Sequence, residues 1–168
     1  MNEAHLHMVV NHFPIIGMII GFLILVSGLL FKSRVTKRIG TITLLATSLF
    51  VFPSFETGEG AEEIVEHLPG VSENLIEKHE ELAEKFMLFV WVLLPLIVLS
   101  FYADWKQKAF LKYVHFLITI VSFVALIFAK QVGTTGGEIR HTEIRKDTMH
   151  ISPKDVKDLN DEDEDIED

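Results

Sequence analysis

Four long segments of almost wholly apolar residues constrain the fold of this chain more than any other feature. They are residues 13–31, 39–55, 86–102 and 110–129. Lys112, near the start of the fourth segment, is the only Asp, Glu, Lys or Arg within them. A helix needs about 20 mainly apolar residues to cross the hydrocarbon of a bilayer, whereas each helix of a soluble bundle keeps a polar face. We therefore predict an all-α, integral-membrane four-helix bundle over residues 1–141.

The amino-acid composition excludes several kinds of functional site. It has no cysteine, which excludes structural disulfides, thiolate metal sites and covalent c-type haem attachment. The last 16 residues account for most of the net charge of −9, because they hold nine acids and two lysines. The rest is nearly neutral and has no footprint of nucleic-acid binding. We expect residues 142–168 to form a polar to acidic tail, disordered from residue 153.

The loops between the apolar segments differ in charge. "KSRVTKR" after the first segment has four basic residues, and "DWKQKAFLK" between the third and fourth has three. Residues 56–79, between the second and third, contain seven acids and one lysine. Because short cytoplasmic loops carry an excess of Lys and Arg, we predict that the two basic loops lie inside the cell. Both termini and the acidic loop then lie outside.

Three local patterns predict structure around the spans. Residues 72–105 keep a helical composition, so the third helix should begin after Ser72, a plausible N-cap, and project above the bilayer. Residues 58–67 suggest a separate short surface helix. "GTTGGEIRH", residues 133–141, is rich in glycine, which indicates a turn that folds back over the outer face.

Six of the eight histidines are expected at the outer side of the membrane. They are His5, His7, His12, His67, His79 and His141. His115 is expected near the inner side with a structural role, and His150 lies further along the tail. Histidines from separate parts of the chain that gather at one rim are candidates for a shared ligand set.

His12 and His79 are the strongest candidates among these histidines. His12 begins the first span, where the positive end of a helix disfavours an imidazolium and keeps the ring able to coordinate a metal. The alternative for His12 is an anchor at the membrane interface. His79 lies on a helical face that continues through Ala83 and Phe86, small and apolar as a flat macrocycle requires. The alternative for His79 is a solvated residue on a charged helix.

The remaining candidates leave alternatives open. His5 and His7 are either part of a flexible polar tail or, with the soft ligand Met8, a copper site. Glu63 and His67 are four residues apart on the expected surface helix and can share a metal, although we favour a solvated acidic face for them.

The start of the first span is part of a sequence pattern that is similar to one in a known protein family. A histidine, a five-residue step and then His-Phe-Pro occur here, a further histidine lies at the outer end of the third span, and a glycine pair follows the fourth. The residues are His7, His12, Phe13, Pro14, His79 and 136–140. The pattern resembles a widespread prokaryotic family of four-span membrane proteins of unknown function, over roughly residues 5–141. Met8 and Asn11 depart from the proline and valine usual in that family, which weakens the role of His7 more than that of His12.

The resemblance implies a compact bundle similar to membrane b-type cytochromes of the bacterial inner membrane. We therefore predict a haem b between the first and third spans, with His12 and His79 as axial ligands, and electron transfer near the periplasmic face as the function. Further candidates are His7 and His141 for a second haem, Lys130 and Arg140 for the propionates, and Glu59, Glu80 or a backbone carbonyl as acceptors for the second ring nitrogens.

The expected partners are the lipid bilayer, membrane or periplasmic redox proteins such as a cytochrome, and a quinone. The expected role is that of a subunit in a respiratory or other redox complex rather than a stand-alone enzyme. Two alternatives remain open. One is a cofactor-free structural subunit of a membrane complex, and the other is a membrane protein that handles copper or another metal.

Overall fold

Every regular element of the described chain is helical. The computed structural model describes residues 2–68, 71–141 and 144–145. The helices are α1 (Glu3–Val10), α2 (His12–Leu30), α3 (Arg34–Val65), α4 (Glu73–Trp105) and α5 (Leu111–Arg140). Because only Asn11 separates α1 from α2, these two form one run, and this part of the chain has four helical runs long and apolar enough to cross a membrane. The predicted all-helical, four-span bundle is confirmed.

Capping side chains explain where several helices begin. The side chain of Asn2 accepts a hydrogen bond from the backbone N–H of His5 at 2.9 Å, and that of Ser33 accepts one from Thr36 at 3.2 Å. Each satisfies a donor that the first turn of a helix leaves without a partner. The third predicted helix begins directly after Ser72 and ends at Trp105, as the sequence predicts.

The four runs pack with an up-and-down connectivity. α2 lies against α3 and α4 against α5, while α2 also contacts α5, α3 contacts α4, and α1 rests on α3. The fully buried apolar side chains are Met18, Leu25, Leu44, Val90, Leu93, Ile97, Ala103, Ile118 and Ala125. Large apolar side chains also cover the outside of the bundle, among them Leu23, Trp91, Val98, Phe116 and Phe123. An apolar exterior of this extent fits a lipid environment.

Two glycines let α2 and α3 approach each other closely. A Cβ atom on Gly40 would lie 2.5 Å from the backbone nitrogen of Leu25, and one on Gly28 would lie 2.6 Å from that of Lys37. Both distances are far below van der Waals contact. The backbones can therefore pack at this distance only because these two positions lack a side chain.

Two local predictions are wrong. Residues 58–65 are not a separate surface helix but the end of α3, which continues through Pro53. Residues 133–140 are not a turn but the last turns of α5. The low helix propensity of glycine is overridden by packing, because Gly58 lies against His7 and Gly136 against His79.

We call the end of the bundle where α2 and α4 begin and α3 and α5 end the outer end, and the opposite one the inner end, following the predicted orientation. The orientation itself stays a prediction. The predicted tail, residues 142–168, with disorder from 153, lies outside the described residues except for 144–145.

Candidate haem site at the outer end

A cavity of about 750 Å³ lies at the outer end, between residues of all five helices. Its volume is in the range of about 300–1,000 Å³ usual for ligand sites. Much of the wall is apolar and includes Met8, Ile15, Val51, Phe55, Phe86 and Val132. Five of the six histidines predicted at this end line it: His5, His7, His12, His79 and His141. The sixth, His67, is exposed elsewhere on this end.

His7 is half-buried in the cavity, and its ring is hydrogen-bonded to α3 through Nδ1. Its Nδ1 lies 3.0 Å from the backbone oxygen of Ser54 and 3.3 Å from the hydroxyl of Thr57. A carbonyl only accepts, so Nδ1 carries the proton and donates. Nε2 is then the nitrogen with a lone pair for a metal. A Cβ on Gly58 would lie 3.5 Å from Cε1 of His7, an ordinary contact distance, so the ring lies directly against α3.

His79 is held in the same way by α5. Its Nδ1 lies 2.9 Å from the hydroxyl oxygen of Thr135. That hydroxyl donates its own hydrogen to the carbonyl of Gln131 at 3.0 Å or of Val132 at 3.2 Å, so it accepts from His79. Nδ1 again carries the proton, and Nε2 is again left as the metal-binding nitrogen. A Cβ on Gly136 would lie 3.1 Å from Cε1 of His79.

The two rings face the same space from different helices. Their centroids are 6.5 Å apart, and their planes are almost perpendicular, at 88°. Metal–nitrogen bonds of about 2 Å, with about 1.1 Å from nitrogen to ring centre on each side, give roughly 6 Å between the centroids of two imidazoles that share a metal in line. The separation is close to that length, and it also lies within the range of about 4.5–7 Å usual for an edge-to-face contact between two rings. The small residues and apolar wall beside the rings suit a flat, apolar group around that metal.

The structure does not place His12 as it places His7. His12 also lines the cavity, but its side chain is exposed. Its Nδ1 lies 2.6 Å from the backbone oxygen of Met8, one turn earlier. No ring contact joins it to His79 within the described residues, whereas His7 has one. Of the predicted pair, the structure thus brings His79 to the centre and leaves His12 on the rim.

The predicted proton acceptors and cations are only partly at the site. Glu59 and Glu80 line the cavity, but the acceptors for the two held rings are the Ser54 carbonyl and the Thr135 hydroxyl. Arg140 lies on the wall and is exposed. Lys130 is exposed on α5 and lies outside the cavity wall.

The metal alternatives depend on residues near the surface of the outer end. Within residues 2–68, 71–141 and 144–145, no group of three or more His, Asp or Glu side chains is close enough together to hold a metal ion. His5 is exposed at the surface. His67 Nδ1 lies 3.0 Å from the carbonyl of Glu63 and 3.3 Å from the carboxylate of Glu66, as expected of a residue at a helix end.

Sequence reasoning missed the residues that hold the rings. Ser54, Thr57 and Thr135 are common residue types in helices, and each acts on a histidine far away in the chain. The positions of two glycines were the available signal. Gly58 lies four residues after Ser54, and Gly136 directly follows Thr135. Ser54 and Thr135 are the residues that hydrogen-bond to His7 and His79. We interpreted Gly58 as the start of a separate surface helix and Gly136 as part of a turn instead.

Comparisons with protein-family models, curated proteins and solved structures find no match to this chain. The family resemblance given above therefore stays an expectation.

Proposed function

We propose that this protein is a membrane-anchored b-type haem protein that transfers single electrons at the outer end of the bundle, with His7 and His79 as axial ligands. The observation that supports the proposal is the pair of imidazoles, 6.5 Å apart and each held through Nδ1. His7 replaces His12, which the sequence favoured, because His12 is exposed and has no ring contact with His79.

In this proposal, the groups that accept hydrogen bonds from the two histidines also orient their rings. A ligand histidine that donates its second N–H is fixed in tautomer and orientation, and its metal-binding nitrogen becomes more basic. The Ser54 carbonyl does this for His7 and the Thr135 hydroxyl for His79. The apolar wall favours a hydrophobic macrocycle. Arg140, on the cavity wall, is the cation that can hold a carboxylate of the bound group.

A bound haem would supply a one-electron couple, and both residues that would hold its iron, His7 and His79, are protein ligands that a substrate would have to displace. Electron transfer is therefore favoured over catalysis at the metal. We expect the protein to serve as a redox subunit in the bacterial inner membrane. A quinone in the bilayer is a candidate electron donor or acceptor. A periplasmic cytochrome is another, and the acidic tail can attract a basic one over long range.

The direct test is the visible spectrum of the full chain, produced with ample haem and purified in detergent. We expect one haem per chain and the sharp bands of low-spin haem b after reduction. His7→Ala and His79→Ala should each abolish the low-spin bands, because each removes one of two axial ligands. His67→Ala is the matched control, an exposed histidine at the same end of the bundle, and should leave the spectrum unchanged.

His12→Ala separates this ligand set from the one that the sequence favoured. Under the proposal, its low-spin bands persist. Colourless wild-type protein would favour a cofactor-free structural subunit, and copper without haem would favour the metal-handling alternative. Either result, or low-spin bands retained in both the His7 and His79 variants, contradicts the proposal.

A further inference from the structure

A buried carboxylate organises the inner end of the bundle. Asp104, near the end of α4, is the only acid within residues 13–55 and 86–129. Its side chain pairs with the guanidinium groups of Arg34, at 2.8 Å, and of Arg38 on α3. Its backbone oxygen accepts a further hydrogen bond from Arg34 at 3.0 Å. The Asp104 side chain is nearly buried, while the side chains of Arg34 and Arg38 are about half exposed, at 52% and 50%. Asp104 therefore fixes the two cations and leaves part of each open to the outside.

The turn after α4 brings more cations to the same place. The N–H of Lys108 donates to the carbonyl of Ala103 at 2.8 Å, and that of Gln107 to the carbonyl of Asp104 at 3.2 Å. Gln107 adopts a left-handed conformation with φ of 50°, so the chain reverses in a Schellman turn. Lys106 and Lys108 are thereby held beside the residue that pairs with Arg34 and Arg38.

The composition of this end favours an anionic partner at the depth of lipid headgroups. Seven basic residues, Lys32, Arg34, Lys37, Arg38, Lys106, Lys108 and Lys112, are opposed by Asp104 alone. Trp105 and Tyr113 are exposed there, and the ammonium groups of Lys106 and Lys112 lie 4.1 Å and 4.9 Å from their ring centres. Exposed Trp and Tyr concentrate at the membrane–water interface, which is where the phosphates of phospholipids lie.

We propose that the inner end is a binding site for an anionic phospholipid. The phosphodiester binds to Arg34, Arg38, Lys106 and Lys108, and the acyl chains lie along the apolar surface of the spans. Basic sites between membrane helices bind anionic lipids in this manner. The prearranged arginines supply planar, paired donors for phosphate oxygens, and the lysines supply additional charge. This site does not depend on the haem proposal, because it lies at the opposite end of the bundle.

Native mass spectrometry of the full chain in detergent tests the proposal. Phosphatidylglycerol and phosphatidylcholine with identical acyl chains are titrated separately, and the dissociation constant of the first bound lipid is measured. We expect phosphatidylglycerol to bind at least about tenfold more tightly. The lysines are changed rather than the arginines, since loss of an arginine leaves the buried Asp104 without a partner and endangers folding.

The test variant is Lys106→Gln, Lys108→Gln and Lys112→Gln together. The control removes the same charge from the outer end through Lys78→Gln, Lys85→Gln and Lys130→Gln. We expect the first variant to lose about tenfold or more in affinity for phosphatidylglycerol and the control less than about twofold. Circular dichroism checks that both retain their helices.

Three results would overturn the proposal. One is equal binding of the two lipids by the wild-type protein. Another is an equal loss of affinity in the two triple variants. The third is competition by inorganic phosphate at the concentrations at which the lipid itself binds, which would assign the site to a free anion.

Discussion

At the scale of single residues, the hydrogen bond at Nδ1 distinguishes the histidines of the cavity. His7 and His79 donate across the bundle to Ser54 and Thr135, whereas His12 donates to Met8, one turn earlier in the same helical run. A bond to a distant helix fixes the ring relative to the cavity. A bond within the same helical run leaves the ring on the outside. The partner of the second nitrogen therefore identifies the candidate ligands better than the position of the histidine along the chain.

Thr135→Val tests this argument. The change keeps the shape of a buried side chain but removes the acceptor of His79. Loss of such an outer partner typically lowers metal affinity about 10–100-fold, so we expect haem to bind about tenfold or more weakly in a titration of haem-free protein. Thr134→Val is the control, because the exposed Thr134 hydroxyl bonds only to the carbonyl of Lys130 among the described residues, at 3.0 Å. Equal effects of the two changes would contradict the assigned role of Thr135.

At the scale of helices, the sequence predicts the spans well and the ends of helices less well. The spans follow from local composition, and α4 begins after Ser72 as predicted, although the Ser72 side chain makes no capping hydrogen bond. Gly58 and Gly136 misled the prediction because each is packed under a ring from another helix. The sequence also could not decide whether His7 or His12 faces the cavity. A step of five residues turns the direction of a side chain by roughly 140° around a helix, so the two histidines point to different sides, and only tertiary packing decides which side faces the cavity.

Gly40→Ala tests the close contact of α2 and α3. Its new Cβ would lie 2.5 Å from the backbone of Leu25, and overpacking of this kind typically costs about 1–3 kcal/mol. We expect a lower midpoint of thermal unfolding in detergent, measured by circular dichroism.

Gly133→Ala is the matched control for that change. It is also a glycine within a helix, but its Cβ would meet Ile15 at 3.6 Å, an ordinary contact. The gain in helix propensity of about 1 kcal/mol should leave the midpoint unchanged or raise it. A Gly40→Ala protein as stable as Gly133→Ala would show that the helices are not packed this closely.

At the scale of the whole molecule, the two ends have opposite character. The outer end holds the histidine cavity and the acids of residues 56–79, and the inner end holds the seven cations around Asp104. This polarity is the basis of the predicted orientation. It also places the proposed redox site and the proposed lipid site on opposite sides of the membrane.

Single cysteines can establish the orientation, because the chain has none of its own. Glu66 and Ala109 are both exposed, one at each end. We expect a membrane-impermeant thiol reagent to label Glu66→Cys in intact spheroplasts and to label Ala109→Cys only after lysis. The reverse pattern would place the histidine cavity at the cytoplasmic side.

The central claim is that His7 and His79 together hold one haem. Electron paramagnetic resonance of the frozen, ferric, haem-loaded protein tests it most directly, because the spectrum of low-spin haem depends on the angle between the two imidazole planes. The observed 88° predicts the strongly anisotropic low-spin signal of perpendicular ligands, with one dominant low-field feature. A high-spin spectrum, no haem signal, or a low-spin signal retained in both His7→Ala and His79→Ala would contradict the claim.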